Sequence, residues 1–338
     1  MLLVDAVYLN SFGGKTILEL VIKKLQNLDY NCYFILDSRL KSNLINSLEA
    51  KNFTVIDASH KNRKFFYYNN LHKFSSILCL SNVPPPLKNS VKTYIFFHNN
   101  LLLNPFSHPI SFKSRVFNFF KFNYIKYYNN EDYYWIVQTP IIYKSLKKNL
   151  FISTNQVYIY PIIDEKSILV NEKKSTNNFI YVSSGVSHKN HIRLIKAFIE
   201  VSAQTDKDIK LHLTLNKEYL PKNIYPTNLK VKFHGTLSLD DVNELYNSCE
   251  FAIYPSLVES FGLPLVEAAN YSCKVIASDL PYVHEIINPS LTFDPYSVES
   301  ISDSILKAIN EDLPETKVLV ENKLDNFIDF IISQDVQQ

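Results

Sequence analysis

Apolar positions along this chain fall into two alternating registers. Short β-branched and aromatic runs are followed by longer segments in which apolar residues recur at helical spacing. Leu2–Leu9 is an apolar strand that ends at Asn10-Ser-Phe-Gly-Gly, and Ile17, Leu20, Val21, Leu25 and Leu28 then mark one face of a helix. Cys32–Asp37, Phe53–Asp57, Ile77–Leu80, Thr93–Phe97, Trp135–Gln138 and Val157–Ile163 read as further strands. After the polar stretch Asp164–Asn178 the pattern restarts: strands at Phe179–Val182, Lys210–Leu215, Lys230–His234 and Phe251–Tyr254, with helices after His191 and over Leu239–Cys249. Strand, turn and helix in this order predict α/β architecture with two doubly wound domains. They are placed at 1–163 and 179–315, joined by a linker at 164–178 and closed by a helix within 316–338, where apolar residues recur over Val318–Ile332.

The segment Ser111–Tyr128 departs from the pattern. Lys113, Arg115, Lys121 and Lys126 interleave with Phe112, Val116, Phe119, Phe120 and Tyr127. Two arrangements fit: a helix presenting lysines and aromatics to an anionic membrane face, or an amphipathic helix packing its aromatics on the sheet. The spread of aromatics around the circumference favours packing.

A chain of 338 residues with net charge +2 and 20% charged residues has room for two domains and carries no large basic field for nucleic acid. Cys32, Cys79, Cys249 and Cys273 are far apart and mostly in apolar surroundings, so they read as reduced core residues. The chain enters its first strand without a leader pattern, and no apolar run reaches the roughly 18 residues of a membrane span. A cytoplasmic protein is expected. There are only five glycines, against a usual share of about 7%, so each marks a place where backbone geometry or a close approach excludes a side chain.

Candidate chemistry concentrates in Phe251–Asn270. Pro255 and Ser256 break the strand, a polar turn carries Glu259, and Gly262 and Pro264 open a helix whose first turn holds the proline. A helix N-terminus offers unpaired N–H groups to a phosphate, and Gly262 lets backbone approach it. Glu259 and Glu267 add acceptors for the hydroxyls of a sugar and a ribose. A nucleotide-sugar has that shape. Earlier, Gly13-Gly14-Lys-Thr is no phosphate-binding P-loop, since position 9 is leucine where that motif needs glycine.

The run Tyr254-Pro-Ser-Leu-Val-Glu259-Ser-Phe-Gly-Leu-Pro-Leu-Val-Glu267-Ala resembles the E-x7-E signature of retaining GT-B glycosyltransferases, family 4 in particular. Val275-Ile-Ala-Ser-Asp279-Leu-Pro and Phe293-Asp294-Pro295 are similar to the family's following segments. The resemblance is specific over residues 179–310 and weaker, though colinear, over the first 160. It implies two Rossmann-like domains facing across a cleft and a last helix that crosses back to the first. It implies retaining, metal-independent transfer of a sugar from a nucleoside diphosphate to a glycan or lipid-linked glycan, as in surface polysaccharide synthesis.

Glu259 would then act on the sugar, and Lys189 on the diphosphate, together with backbone around Ser260, Phe261, Gly262 and Leu263. Glu267 would hold the ribose, and His98 would lie near the reaction centre. Gly13 and Gly14 are either a donor-phosphate loop or a tight strand-to-helix turn. Ser184 occupies a donor-side position where the family carries an arginine; His188, His191, Arg193 or Lys15 could supply the missing charge. Asp206-Lys-Asp208 follows a polar segment, which argues against the metal-dependent GT-A class. The rival readings are a noncatalytic GT-B subunit that binds a glycan or partner, and a GT-B nucleotide-sugar epimerase. No cofactor, metal or nucleic acid is expected; contact with the inner membrane face stays open.

Overall fold

The computed structural model describes residues 1–10, 12–40, 52–106, 110–164, 174–219 and 230–336. The chain separates into two compact units, one of Met1–Phe106, Lys113–Glu165 and Glu321–Gln338, the other of Ser107–Phe112 and Lys166–Val320.

The first unit is built on seven parallel strands: β1 Leu2–Ala6, β2 Cys32–Asp37, β3 Phe53–Ile56, β4 Ser76–Cys79, β5 Lys92–Phe97, β6 Tyr134–Val137 and β7 Val157–Ile159. Their order is β3-β2-β1-β4-β5-β6-β7, so the chain reverses direction across the sheet between β1 and β4. Side chains alternate between faces along each strand. Leu2, Val4, Phe34, Leu78 and Phe96 pack with α1 (Phe12–Asn27) and with Phe327, Ile328 and Ile331 of the last helix, Leu324–Val336. On the other face Leu3, Ile35, Ile77 and Trp135 pack with α2 (His60–Asn70), α3 (Phe112–Tyr128) and α4 (Pro140–Leu150). Beneath that face Asp5 and Arg63 form a fully buried ion pair of 2.7 Å, and Tyr67 donates a second hydrogen bond to the same carboxylate.

The second unit repeats the plan with β8 Ser175–Tyr181, β9 Lys210–Leu213, β10 Val231–Phe233, β11 Cys249–Tyr254, β12 Lys274–Ser278 and β14 Leu291–Phe293. The order is β10-β9-β8-β11-β12-β14, parallel throughout, with the reversal between β8 and β11. A short antiparallel pair, β13 Ile287–Asn288 with β15 Lys317–Val318, lies outside the main sheet. Helices α5 His191–Ser202, α6 Leu239–Ser248, α7 Leu263–Asn270, α8 Pro281–His284 and α9 Val298–Asn310 complete it.

Three expectations change. Ser175–Asn178, read as linker, is the start of β8, and residues 165–173 of the expected linker lie outside the described residues. Val318 belongs to β15 and the last helix begins at Leu324, because Leu319 is exposed and only the apolar stripe from Leu324 reaches the first unit's core. Most consequential, α3 does not bury its aromatics. Phe112, Phe117, Phe120 and Tyr127 are each 66% or more exposed. Only Asn118 and Ile125 are buried along the helix, with Phe122 and Tyr124 packed beside them, so a narrow strip meets the sheet and the remaining aromatics point away.

Candidate functional site

In a doubly wound sheet, the loops leaving the two strands at the reversal diverge and open a crevice at the carboxyl edge. In the second unit those strands are β8 and β11, and the loops leaving them carry Lys189 and Glu259. Their side chains meet in an ion pair of 2.6 Å, with side-chain exposures of 16% and 17%. The contact is built from the backbone outward. The Leu257 N–H donates to the His188 carbonyl at 2.8 Å, tying the two loops together. Asn190, held in a left-handed conformation with φ 62°, donates its amide to the carbonyls of Pro255 and Pro295. The Tyr181 hydroxyl donates to the Lys189 carbonyl and shares a 2.8 Å hydrogen bond with Ser256 Oγ, while Tyr282 donates to the Ser256 carbonyl. Burial, reinforced by the Glu259 carboxylate, holds the Tyr181 phenol far above its ordinary range, so it stays a donor.

Gly262 precedes α7 with φ +78°, a left-handed conformation that side chains other than glycine's adopt at a cost, and a Cβ there would stand 3.1 Å from Leu265 Cδ1. It turns the chain so that Pro264 falls in the first helical turn, as the sequence predicts. Glu259, Gly262 and Pro264 line one small pocket with Val182, Tyr254, Leu265 and Tyr282. Ser260 and Leu263, next in sequence to Glu259 and Gly262, are half-buried, whereas the Phe261 ring is buried, so that residue can offer a ligand only its backbone. Glu267 lies one turn into α7 and is half-buried. Burial and then the Glu267 carboxylate raise the phenol of Tyr254, which donates to the Pro264 carbonyl at 2.9 Å.

Ser184 is half-buried in the loop after β8. Of the residues that could replace the absent arginine, His191 is bonded to Ser183 Oγ at 2.8 Å. Burial first, and then Lys189 and His188, push its pKa down to about 3, so it is neutral near pH 7. Arg193 donates to Asn190 Oδ1 and lies over the Tyr296 ring, and Lys15, in the first unit, pairs with Glu19.

The first unit carries a second cluster at its own reversal. Asn82 follows β4 in a left-handed conformation, its Oδ1 accepting the His98 N–H at 2.7 Å. That fixes the amide orientation, so Nδ2 donates to His98 Nε2 at 3.1 Å and the ring proton sits on Nδ1. Nδ1 is buried and has no hydrogen-bond partner among the described residues. Burial, and after it the Lys121 ammonium, lowers the His98 pKa to about 4. Gly14 stands in the first turn of α1; a Cβ there would lie 2.9 Å from Leu9 Cδ2 and 3.7 Å from His98 Nε2. A side chain at Gly14 would therefore have to push the Leu9 methyl aside. At Gly13 a Cβ meets nothing within 4 Å among the described residues.

The structure thus joins Lys189, Glu259 and Gly262 in one unit, and Gly14 and His98 in the other. Sequence reasoning passed over Asn82, Asn190, Tyr181, Ser256 and Tyr282. Asn82 and Asn190 share one signal: an asparagine in a loop that leaves a strand, where a left-handed turn suits it, Asn82 three residues past β4 and Asn190 just before α5. Among the described residues no group of three or more His, Cys, Asp or Glu could hold a metal ion, and no helix is long and apolar enough to cross a membrane.

Residues 163–325 match the family model described as glycosyl transferases group 1. The O-antigen chain mannosyltransferase RfbU of Salmonella typhimurium is 26% identical over 219 residues, 63% of this chain and 60% of RfbU. The chain therefore spans less than two thirds of that relative's length. The capsular polysaccharide biosynthesis glycosyltransferase CapH of Staphylococcus aureus is 22% identical over 295 residues, 81% of this chain and 80% of CapH. Among solved structures, WaaG, a glycosyltransferase involved in lipopolysaccharide biosynthesis, superposes with a TM-score of 0.70 at 14% identity, over 92% of this chain and 91% of WaaG. That likeness establishes the GT-B fold.

Proposed function

Because residues 163–325 belong to the group 1 glycosyltransferases, we propose that this protein transfers a sugar from a nucleoside-diphosphate sugar to a glycan or lipid-linked glycan during surface polysaccharide synthesis. The observation that carries this reading is the Lys189–Glu259 pair on the two loops that diverge at the β8–β11 reversal. Breaking the sugar C1–O bond leaves negative charge on the diphosphate and positive character on the sugar. Lys189 and the N–H groups of Ser260–Leu263 are donors set in advance for the former. When the diphosphate draws Lys189 toward itself, the Glu259 carboxylate is released to accept hydrogen bonds from sugar hydroxyls. Glu267 holds the ribose. Gly13, whose missing side chain no described protein atom requires, leaves room for a ligand. His98 contributes a neutral imidazole with one N–H to give. In this reading transfer proceeds with retention, the leaving phosphate accepts the acceptor's proton, and no metal is needed. The similarity to RfbU and CapH supports the choice of polysaccharide synthesis.

Ser184, without the arginine's charge, favours a second reading: a noncatalytic subunit that binds nucleotide or glycan. Incubating the protein with UDP-, GDP- and dTDP-sugars, with and without EDTA, distinguishes the outcomes. Release of nucleoside diphosphate that survives EDTA supports the proposal. Binding without turnover supports the second reading, and an isomerised donor would indicate an epimerase. Activity lost in EDTA and restored by magnesium would overturn the metal-independent mechanism.

A further inference from the structure

The outward turn of the α3 aromatics coincides with an uneven distribution of charge. Between Asp57 and Glu131 the chain has ten Lys and Arg residues and no acid, in a protein whose net charge is only +2. Among the described residues, none of the three helices on that face of the first unit's sheet, α2, α3 and α4, contains an Asp or Glu. The helices on the opposite face do: Glu19 on α1, Asp325 and Asp329 on the last helix.

The outer surfaces of α2 and α3 are alike. On α2, Lys61, Lys64, Phe65 and Tyr68 share one side by helical spacing, and the two rings are 71% and 79% exposed. On α3, Phe117, Phe120 and Tyr127 are outward beside exposed Lys113 and Lys126. Lys121 is turned inward, toward His98 and Arg63, and takes no part in this surface. The helices are neighbours: the His60 ring lies 5.5 Å from Tyr124 and 6.0 Å from Tyr128. Both pack into the same core cluster, so their outer sides share a direction.

We propose that this face of α2 and α3 seats on an anionic lipid surface. Exposed phenylalanine rings next to lysine ammonium groups match a bilayer interface: the rings enter the boundary between headgroups and acyl chains, and the lysines meet the lipid phosphates. A second copy of the chain fits poorly, because a two-fold contact through this face would set positive surface against positive surface. Nucleic acid fits less well. Of the two arginines on these helices, Arg63 is fully buried against Asp5, which leaves only Arg115 for guanidinium recognition.

The test is flotation of the intact protein with phosphatidylcholine vesicles, with and without about a third of phosphatidylglycerol. The wild type should float only with the anionic vesicles. The Lys113→Glu/Lys126→Glu pair should weaken partition at least about thirtyfold, given roughly 1 kcal/mol per basic residue at such a surface. The Phe117→Ser/Phe120→Ser pair should weaken it roughly tenfold or more. Lys23→Glu on α1, exposed on the opposite side, should change it little. Circular dichroism on each variant confirms folding. Three results overturn the proposal: wild-type protein that does not float with anionic vesicles, flotation indifferent to the phenylalanine pair, or a solution dimer that the same pair dissolves.

Discussion

Lys189 and Glu259 should behave as a coupled pair without ligand and as separate residues with it. Breaking a fully buried ion pair by removing one partner costs about 3–5 kcal/mol, most of it from the stranded charge. Here the side chains are 16% and 17% exposed, so water reaches the stranded group and roughly 2–3 kcal/mol is expected from Lys189→Met or Glu259→Gln alone. For a unit of this size that lowers its melting temperature by about 5–10 °C. The double variant strands no charge and should melt within a few degrees of wild type, a coupling that a double-mutant cycle in scanning calorimetry reads directly. Binding should divide them differently. Lys189→Met should lose about ten- to a hundredfold in affinity for a nucleoside diphosphate, as for a charge-assisted hydrogen bond, and keep its affinity for the bare nucleoside. Glu259→Gln should bind the diphosphate as well as wild type or better, since its carboxylate no longer competes for the ammonium, while turnover falls. Single variants that melt like wild type would refute the coupling. Loss of diphosphate affinity in Glu259→Gln with retention in Lys189→Met would refute the assigned roles.

Glu267→Gln should raise the dissociation constant for the nucleoside diphosphate by about ten- to a hundredfold with little change in turnover at saturation, measured by calorimetry and donor kinetics. Arg63→Met strands the fully buried Asp5 and should cost about 3–5 kcal/mol, most of which Asp5→Asn in the same chain should restore in a melting experiment. His98 and His191, with pKa values lowered to about 4 and about 3, stay neutral in the folded protein while the unfolded chain takes up protons below about pH 6.5. Stability is therefore complete above that pH and lost as pH falls, by about 1.4 kcal/mol per pH unit for each residue near pH 5. Melting scans from pH 7 to 4.5 should flatten when either is changed to asparagine.

What could be read in the chain was local. The strand, the loop with Glu259 and the proline-bearing helix start all lie within twenty consecutive residues, so periodicity and turn chemistry place them without any tertiary information. Lys189 was legible as a loop charge, but its partner lies 70 positions away and only strand order brings the two together. Asn190 reaches carbonyls 65 and 105 positions away, and a hydrogen bond to a distant backbone oxygen leaves no pattern in composition or spacing. The helix α3 misled for another reason. Its aromatics imply burial only if the sheet has room for them, and the strip through Asn118 and Ile125 shows that it does not.

The placement of the last helix bears on how the protein is made. Leu324, Phe327, Ile328 and Ile331 complete the same core as Leu2, Val4 and Phe34, so the first unit cannot be finished until residues 324–331 emerge, after the whole of the second. At about 5–20 residues per second, the intervening second unit takes roughly ten to thirty seconds to translate. Through that interval the nascent first unit shows the ribosome's surroundings an uncovered apolar sheet face next to α1. A chain ended by a premature stop near residue 320 would keep that face bare permanently. Chaperone dependence and loss to aggregation should therefore follow whether residues 324–331 have been made rather than how much of the second unit has.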